Sequence, residues 1–452
     1  MTTPARFAQD RAWSERAAAP LRRLCGRGAQ PSADELEALR HALSQQDELA
    51  AALVRAVPAR ELHRAIAAGP AAVGLSVVRP AGVGLSVVRP AGVGLSAVGP
   101  FAAGASVAAA SAVASPGAGV FEVSASAVAN SDAAGPAAAA SAPVAVRAFF
   151  EAVLERPAWV DDRLLERGAQ ACRAFGMDAG LVLAYGSLLG GYRTAAALEP
   201  LVRTGRMAGG ETLRRIKETS IWWRAVTAPG GLEPGRDGFR LTLHVRVMHA
   251  LVNARLAEDP TWDTALRGTP INQYDQASTL GVFSTSFLLH LRLLGVRVSR
   301  RDAHAVMHVW SYIGWLMGVD EQWLPHTEKR GRRLLYHFLS YDPPPDDNSR
   351  ALAQALIAMT DQEFPGRRRR RFERERALSI SSWLLGRRAM HDLGLPYRPP
   401  WYGLGRVAAN MVMTHALGRL PGGRRLLLAR GERHARARFA RWGIPDDAGK
   451  AR

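Results

Sequence analysis

The chain has 452 residues, 48% of them apolar and eleven of them tryptophan, enough for one large core and for apolar cofactor or ligand pockets. Its formal net charge is +19, yet no helix-turn-helix, zinc-finger or RNA-binding signature accompanies the charge, so no specific nucleic acid is expected as a partner. Two cysteines far apart in sequence, Cys25 and Cys172, exclude a disulfide framework and a zinc knuckle.

The first residues carry neither an apolar signal core nor a twin-arginine pair, and no uninterrupted apolar run reaches bilayer length; a soluble, cytoplasmic protein is expected. Arginine is concentrated in the C-terminal third, at residues 367–371 and 424–441, which leaves peripheral contact with an anionic membrane surface open. Ser32-Ala-Asp-Glu35 has the form of a capping box, and Leu36, Leu39, Leu43, Leu49 and Leu53 follow at helical spacing. Residues 1–69 are read as a small helical segment. A ten-residue tandem repeat then starts at Pro70, with near copies at Pro80 and Pro90, and residues 101–146 are almost entirely Ala, Ser, Val, Gly and Pro. Few large side chains and regular Pro and Gly predict a disordered linker over 70–146 that carries no catalysis. From residue 147 to 442, amphipathic helical patterns succeed one another, with stops at Ala228-Pro-Gly-Gly231 and Leu395-Pro396. This domain is read as all-α, and residues 443–452 as a flexible tail.

Four groups of residues could carry chemistry. His249 lies among Val245, Met248, Val252 and Leu256 at helical spacing, and Arg246 and Asn253 share its face. Such an imidazole is either a core histidine satisfied by a hydrogen bond or a metal ligand. Arg215, Thr219, Trp222 and Val226 recur on one face of another helix, either as a capping and ion-pair network or to polarise a bound ligand. Glu199, beside Pro200 among apolar residues, is a candidate base or a surface helix-end carboxylate. His304 and His308 stand at i and i+4 without the glutamate of a zinc-protease motif, and Ser299 and Asp302 look like the cap of the same helix; the pair is read as structural. P-loop, dinucleotide-binding and nucleophile-elbow signatures are absent, Gly186-Ser187 lacking the flanking glycines of a hydrolase serine.

Several runs occur together in a telling order: Arg246-Val-Met-His249-Ala-Leu-Val, Gly268-Thr-Pro-Ile-Asn-Gln273, Thr279-Leu-Gly-Val-Phe-Ser284 and Leu316-Met-Gly-Val-Asp320. With Pro157-Ala-Trp-Val-Asp-Asp162 upstream and Pro399-Pro-Trp401 downstream, residues 147–442 resemble the family of latex-clearing (rubber) oxygenases and MpaB. The resemblance implies an all-helical fold around haem b, and an oxygenase acting with dioxygen on a small apolar, isoprenoid or unsaturated substrate. It implies His249 as the iron ligand, with Arg246 and Asn253 as further cofactor-binding positions. It places Arg215, Thr219 and Glu199 in the catalytic positions, with Trp222 and Phe283 lining the pocket. Asn253 stands where rubber oxygenases often have arginine, and Glu218 where some have a lysine able to cap the iron. The competing expectation is a non-catalytic haem- or lipid-binding protein of the same fold. The sequence leaves the oligomeric state open.

Overall fold

Asp10, Ser32, Asp47, Asp161, Ser299 and Thr327 each precede a helix and accept an amide of its first turn, so many boundaries are set by a local side chain. Ser32 and Glu35 form the reciprocal capping box expected from their spacing. The structure, a computed structural model, describes residues 3–7, 9–26, 28–78, 86–88, 136–203 and 211–444. Four helices come first: α1 (Arg11–Cys25), α2 (Ala33–Ala42), α3 (Glu48–Ala56) and α4 (Ala59–Ala68). After the linker come α5 (Pro136–Leu154), α6 (Asp162–Ala174), α7 (Gly176–Val182), α8 (Glu199–Arg203), α9 (Glu211–Val226) and α10 (Asp237–Ala257). The rest are α11 (Gln273–Gly281), α12 (Phe287–Leu293), α13 (Arg300–Leu316), α14 (Glu328–Tyr341), α15 (Asp347–Glu363), α16 (Arg367–Asp392), α17 (Trp401–Asn410) and α18 (Gly423–Arg441). Wide, π-type turns extend α7 at Leu183–Leu188, join α11 to α12 at Val282–Ser286, and continue α17 at Met411–Ala416.

The fold is all-α. The exception among the described residues is a ribbon inside the repeat, where Ser76–Val78 pairs antiparallel with Ser86–Val88. Residues 79–85 and 89–135, most of the expected linker, and 445–452, most of the expected tail, lie outside the described residues. α5 begins at Pro136, ten residues before the expected end of the linker, as its alanine-rich sequence favours helix.

One core is shared by both sides of the linker. Leu39, Leu53, Leu62 and Ile66 from α2, α3 and α4 join Phe149, Phe150, Val247, Phe287, Trp310 and Ile313 in it. At its centre α6 and α13 run very close together. A β-carbon at Gly168 would lie 2.3 Å from the carbonyl oxygen of Ala305, so only glycine permits this approach. Cys25 and Cys172 are both free thiols. No single helix among the described residues is long and apolar enough to cross a membrane.

The N-terminal arm adds a buried polar cluster. Arg6 pairs with Asp275 at 2.8 Å, and the hydroxyl of Ser14 donates to the carbonyl of Asp342. Burial, reinforced by the charge of Asp275, pushes the Asp342 carboxyl up to about 8. Folded Asp342 therefore keeps a proton that the unfolded chain, with an ordinary carboxyl near 3.8, has released. Folding takes up that proton across this window, so this group makes stability fall as pH rises from about 4 to about 8. Asp342→Asn is expected to flatten that decline, read as melting temperature against pH. A parallel decline in both proteins would show that Asp342 is not its source.

Candidate functional site

α9 and α10 pack together, joined by a ten-residue connection and bonded where the indole Nε1 of Trp222 donates to the hydroxyl of Thr242 at 3.0 Å. Arg215 lies seven residues before Trp222 and His249 seven residues after Thr242. Each is thus about 10.5 Å along its helix from the same contact. Trp222 meets Phe283 edge-to-face at 5.7 Å. Trp223 and Trp310, not singled out from the sequence, complete the ring cluster: Trp310 lies 5.3 Å from Phe283 and 4.9 Å from Trp223.

His249 is half-buried by area but crowded by neighbouring atoms. Burial pushes its imidazole down to about 4, against the pull of Asp47, so the ring is neutral at pH 7. Its Nδ1 is buried without a hydrogen-bond partner, and so is the Oδ1 of Asn253 one turn on. Both residues border a hollow of about 10 Å³ shared with Asp47, Arg246, Ile271 and Gln276. That volume suits one water molecule, not a macrocycle. Ile271 has φ of 45°, a left-handed conformation that costs a β-branched residue about 1–3 kcal/mol and tends to mark functional sites.

Arg246 has a different partner from the one expected. Its Nε and Nη2 donate to the two oxygens of Asp47 at 2.6 and 2.8 Å, and its Nη1 to the carbonyl of Leu316 at 3.3 Å. Asp47 also caps α3 by accepting the amide of Ala50. Gly318, with φ of 83°, closes over this pair: a β-carbon there would stand 2.2 Å from Asp47 Oδ2. Gln273 ties the neighbouring loop down, donating to the carbonyl of Gly318 and accepting the amide of Asp320. The amides of Thr269 and Gln273 reach back to the carbonyls of Leu43 and Gln45. Three runs separated in sequence, at Arg246, at 268–273 and at 316–320, thus form one support beneath His249, completed by the N-terminal Asp47.

The other candidates divide. Glu199 is buried as a functional carboxylate would be, but it is not a lone one. Arg203 reaches its Oε1 at 2.8 Å and Arg267 its Oε2 at 3.4 Å. Arg215 is half-buried on α9. Thr219 was placed with Trp222 and Val226 on an inward face; those two are buried, whereas Thr219 is exposed. Glu218 lies 3.8 Å from the Nε of Arg214 on the same helix. His308 accepts the amide of Asp161 at 2.9 Å while His304 is exposed, which supports the structural reading of that pair. His290, also missed, lies 3.1 Å from the Ser286 hydroxyl and 3.4 Å from that of Ser187, joining two wide turns. No cluster of three or more metal-ligating side chains occurs among the described residues.

Residues 173–416 match the family model described as ER-bound oxygenase mpaB/B'/rubber oxygenase, catalytic domain. The rubber oxygenase of Streptomyces sp. (strain K30) is 25% identical over 285 residues, covering 62% of this chain and 67% of that protein. The solved structure of latex clearing protein LCP in the closed state superposes with a TM-score of 0.51 at 21% identity, over 64% of this chain and 78% of the other.

Proposed function

Because the chain belongs to the family of the MpaB and rubber oxygenase catalytic domain, we propose that it is a haem-dependent oxygenase acting on a small apolar, isoprenoid or unsaturated substrate. The observation that carries this is His249, a neutral imidazole with an orphaned buried nitrogen on α10, the helix packed against the one that carries Arg215. A b-type haem held there would supply binding and activation of dioxygen.

The residues around it have separable tasks. A hydrogen bond from Nδ1 into the small hollow would fix the ring and leave Nε2 as the donor to iron. Arg246 does not need to meet a propionate for this: its ion pair with Asp47 holds α10 against α3 and so sets the height of His249. Arg215 supplies hydrogen-bond donors, and Thr219 a hydroxyl, on the opposing helix, where they would orient the oxygen. Abstraction of an allylic proton by Glu199 requires one of its two arginine contacts to open first. The aromatic cluster excludes water and offers an apolar wall to the substrate.

Purified protein is expected to show a Soret band and to consume dioxygen with a polyisoprene or a shorter isoprenoid. Arg215→Ala and Thr219→Ala should keep the band and lose activity, Arg215→Ala by about a hundredfold or more. Normal turnover in both variants would remove the distal assignment. The two arginines on Glu199 favour a second reading, a haem- or lipid-binding protein without turnover. A Soret band with no oxygen uptake on any isoprenoid would select it.

A further inference from the structure

Ten large apolar side chains are prominently exposed among the described residues, and six of them fall between residues 401 and 426. They are Trp401, Leu404, Met411, Val412, Leu420 and Leu426, with Val412 the most open at 69%. Trp401, Leu404, Met411 and Val412, with exposed Ala408 between, follow helical spacing along α17 and the wide turn that continues it. They therefore form one outward stripe.

The inward side of the same helix does the anchoring, partly with polar groups. Arg406 makes a bidentate pair with Asp178, Asn410 donates to the carbonyl of Leu294, and Gly403 lies against the ring of Trp383. An ordinary surface helix has the reverse arrangement, apolar inward and polar outward. A contiguous exposed apolar patch on such a helix marks a contact surface.

Charge identifies the occupant. The Phe372 ring lies 5.9 Å from that of Trp401, which brings the exposed arginine run 367–371 to one end of the stripe. Arg419 and Arg425, both exposed, interleave with Leu420 and Leu426 at the other end. Behind the stripe is a cleft of about 410 Å³ bordered by six arginines and His434. Its two carboxylates, Asp178 and Asp302, are already held by Arg406 and by Arg167 with Arg424. An apolar stripe with cationic ends is complementary to acyl chains beneath anionic headgroups.

We propose that this outer face of α17, its continuing turn and the start of α18 seat the protein on an anionic phospholipid bilayer, with the leucines, Val412 and Trp401 entering the headgroup region. The inference stands on exposure and charge alone and does not require that haem be bound. It gives an apolar substrate a source from which to reach the enzyme without crossing water.

The test is co-sedimentation of the full chain with vesicles of phosphatidylcholine plus phosphatidylglycerol, against phosphatidylcholine alone, across a salt series. Binding to the anionic vesicles, weakening with salt and shifting tryptophan emission to the blue, is expected. Trp401→Phe should remove most of the shift while keeping the binding. Leu404→Asp/Val412→Asp alters only exposed positions and should weaken partitioning by at least about tenfold, at unchanged helicity. Arg368→Gln/Arg370→Gln should weaken it by about fivefold per charge. Absence of binding to anionic vesicles overturns the proposal, as does undiminished binding of the double aspartate variant. A wild-type dimer that this variant converts to monomer, with no vesicle binding by either, assigns the face to a second copy instead and equally overturns it.

Discussion

His249→Ala protein is expected to purify with native helicity and little or no stoichiometric haem. The fold should survive because α10 is held by Phe239, Leu243, Val247, Ala250 and Leu251, all buried, whereas His249 is half-buried and leaves Nδ1 without a partner. Haem should not survive, because loss of even an outer partner of a metal ligand costs about 10- to 100-fold in affinity, and this variant removes the ligand proposed here. Residual weak binding with an altered spin state is compatible, since apolar contacts remain. The measurement is haem per chain by absorbance, beside far-ultraviolet circular dichroism. A wild-type Soret spectrum at full occupancy would remove His249 from its role. His308 would not replace it, being committed to the Asp161 amide; His244 on the same helix would be examined next.

Asp47→Ala is expected to be the most destabilising single substitution near the site, by about 3–5 kcal/mol. The guanidinium of Arg246 is nearly buried and would lose its counter-charge, with the Leu316 carbonyl and the face of the Phe149 ring left to it. The helix cap on α3 would go at the same time, a further loss of about 1 kcal/mol. Removing both charges is a different matter. Asp47→Leu/Arg246→Met should recover most of the loss, because no unpaired charge is left behind. Urea unfolding of the two variants provides the comparison. A loss below about 1 kcal/mol for Asp47→Ala would mean that the pair behaves as an exposed one.

What could be read from the sequence was local. Ser32 with Glu35, and Ser299 with Asp302, announced their helices because a cap acts over three residues. The ordered motifs around His249 announced the family, and the all-α fold followed. The partner of Arg246 was not legible: Asp47 lies 199 residues away, on the far side of a low-complexity linker. Of the stripe drawn on α10 through Val245, Met248, Val252 and Leu256, the first three are half-buried and only Leu256 is buried, while Leu243, Val247 and Ala250 also go deep. That helix is covered by α9 on one flank and by α3 and α4 on another, so no single apolar stripe describes it. Thr219 is more exposed than its spacing suggested, for a related reason. Spacing puts it on the face of Trp222, but spacing does not say how far along a helix its neighbours extend.

The turn at Pro70–Val73, where the repeat begins, and α5, which follows it, touch. Both banks are fixed independently of what connects them, by Ile66 and Leu75 on one side and Phe149 and Phe150 on the other. For a loop with anchored ends, the entropy of closure grows only with the logarithm of its length. One more ten-residue copy would cost roughly 0.1 kcal/mol, far less than an ordinary point substitution. A change in the number of repeat copies would therefore be nearly invisible to folding, and chains carrying two, three or five copies should melt at nearly the same temperature.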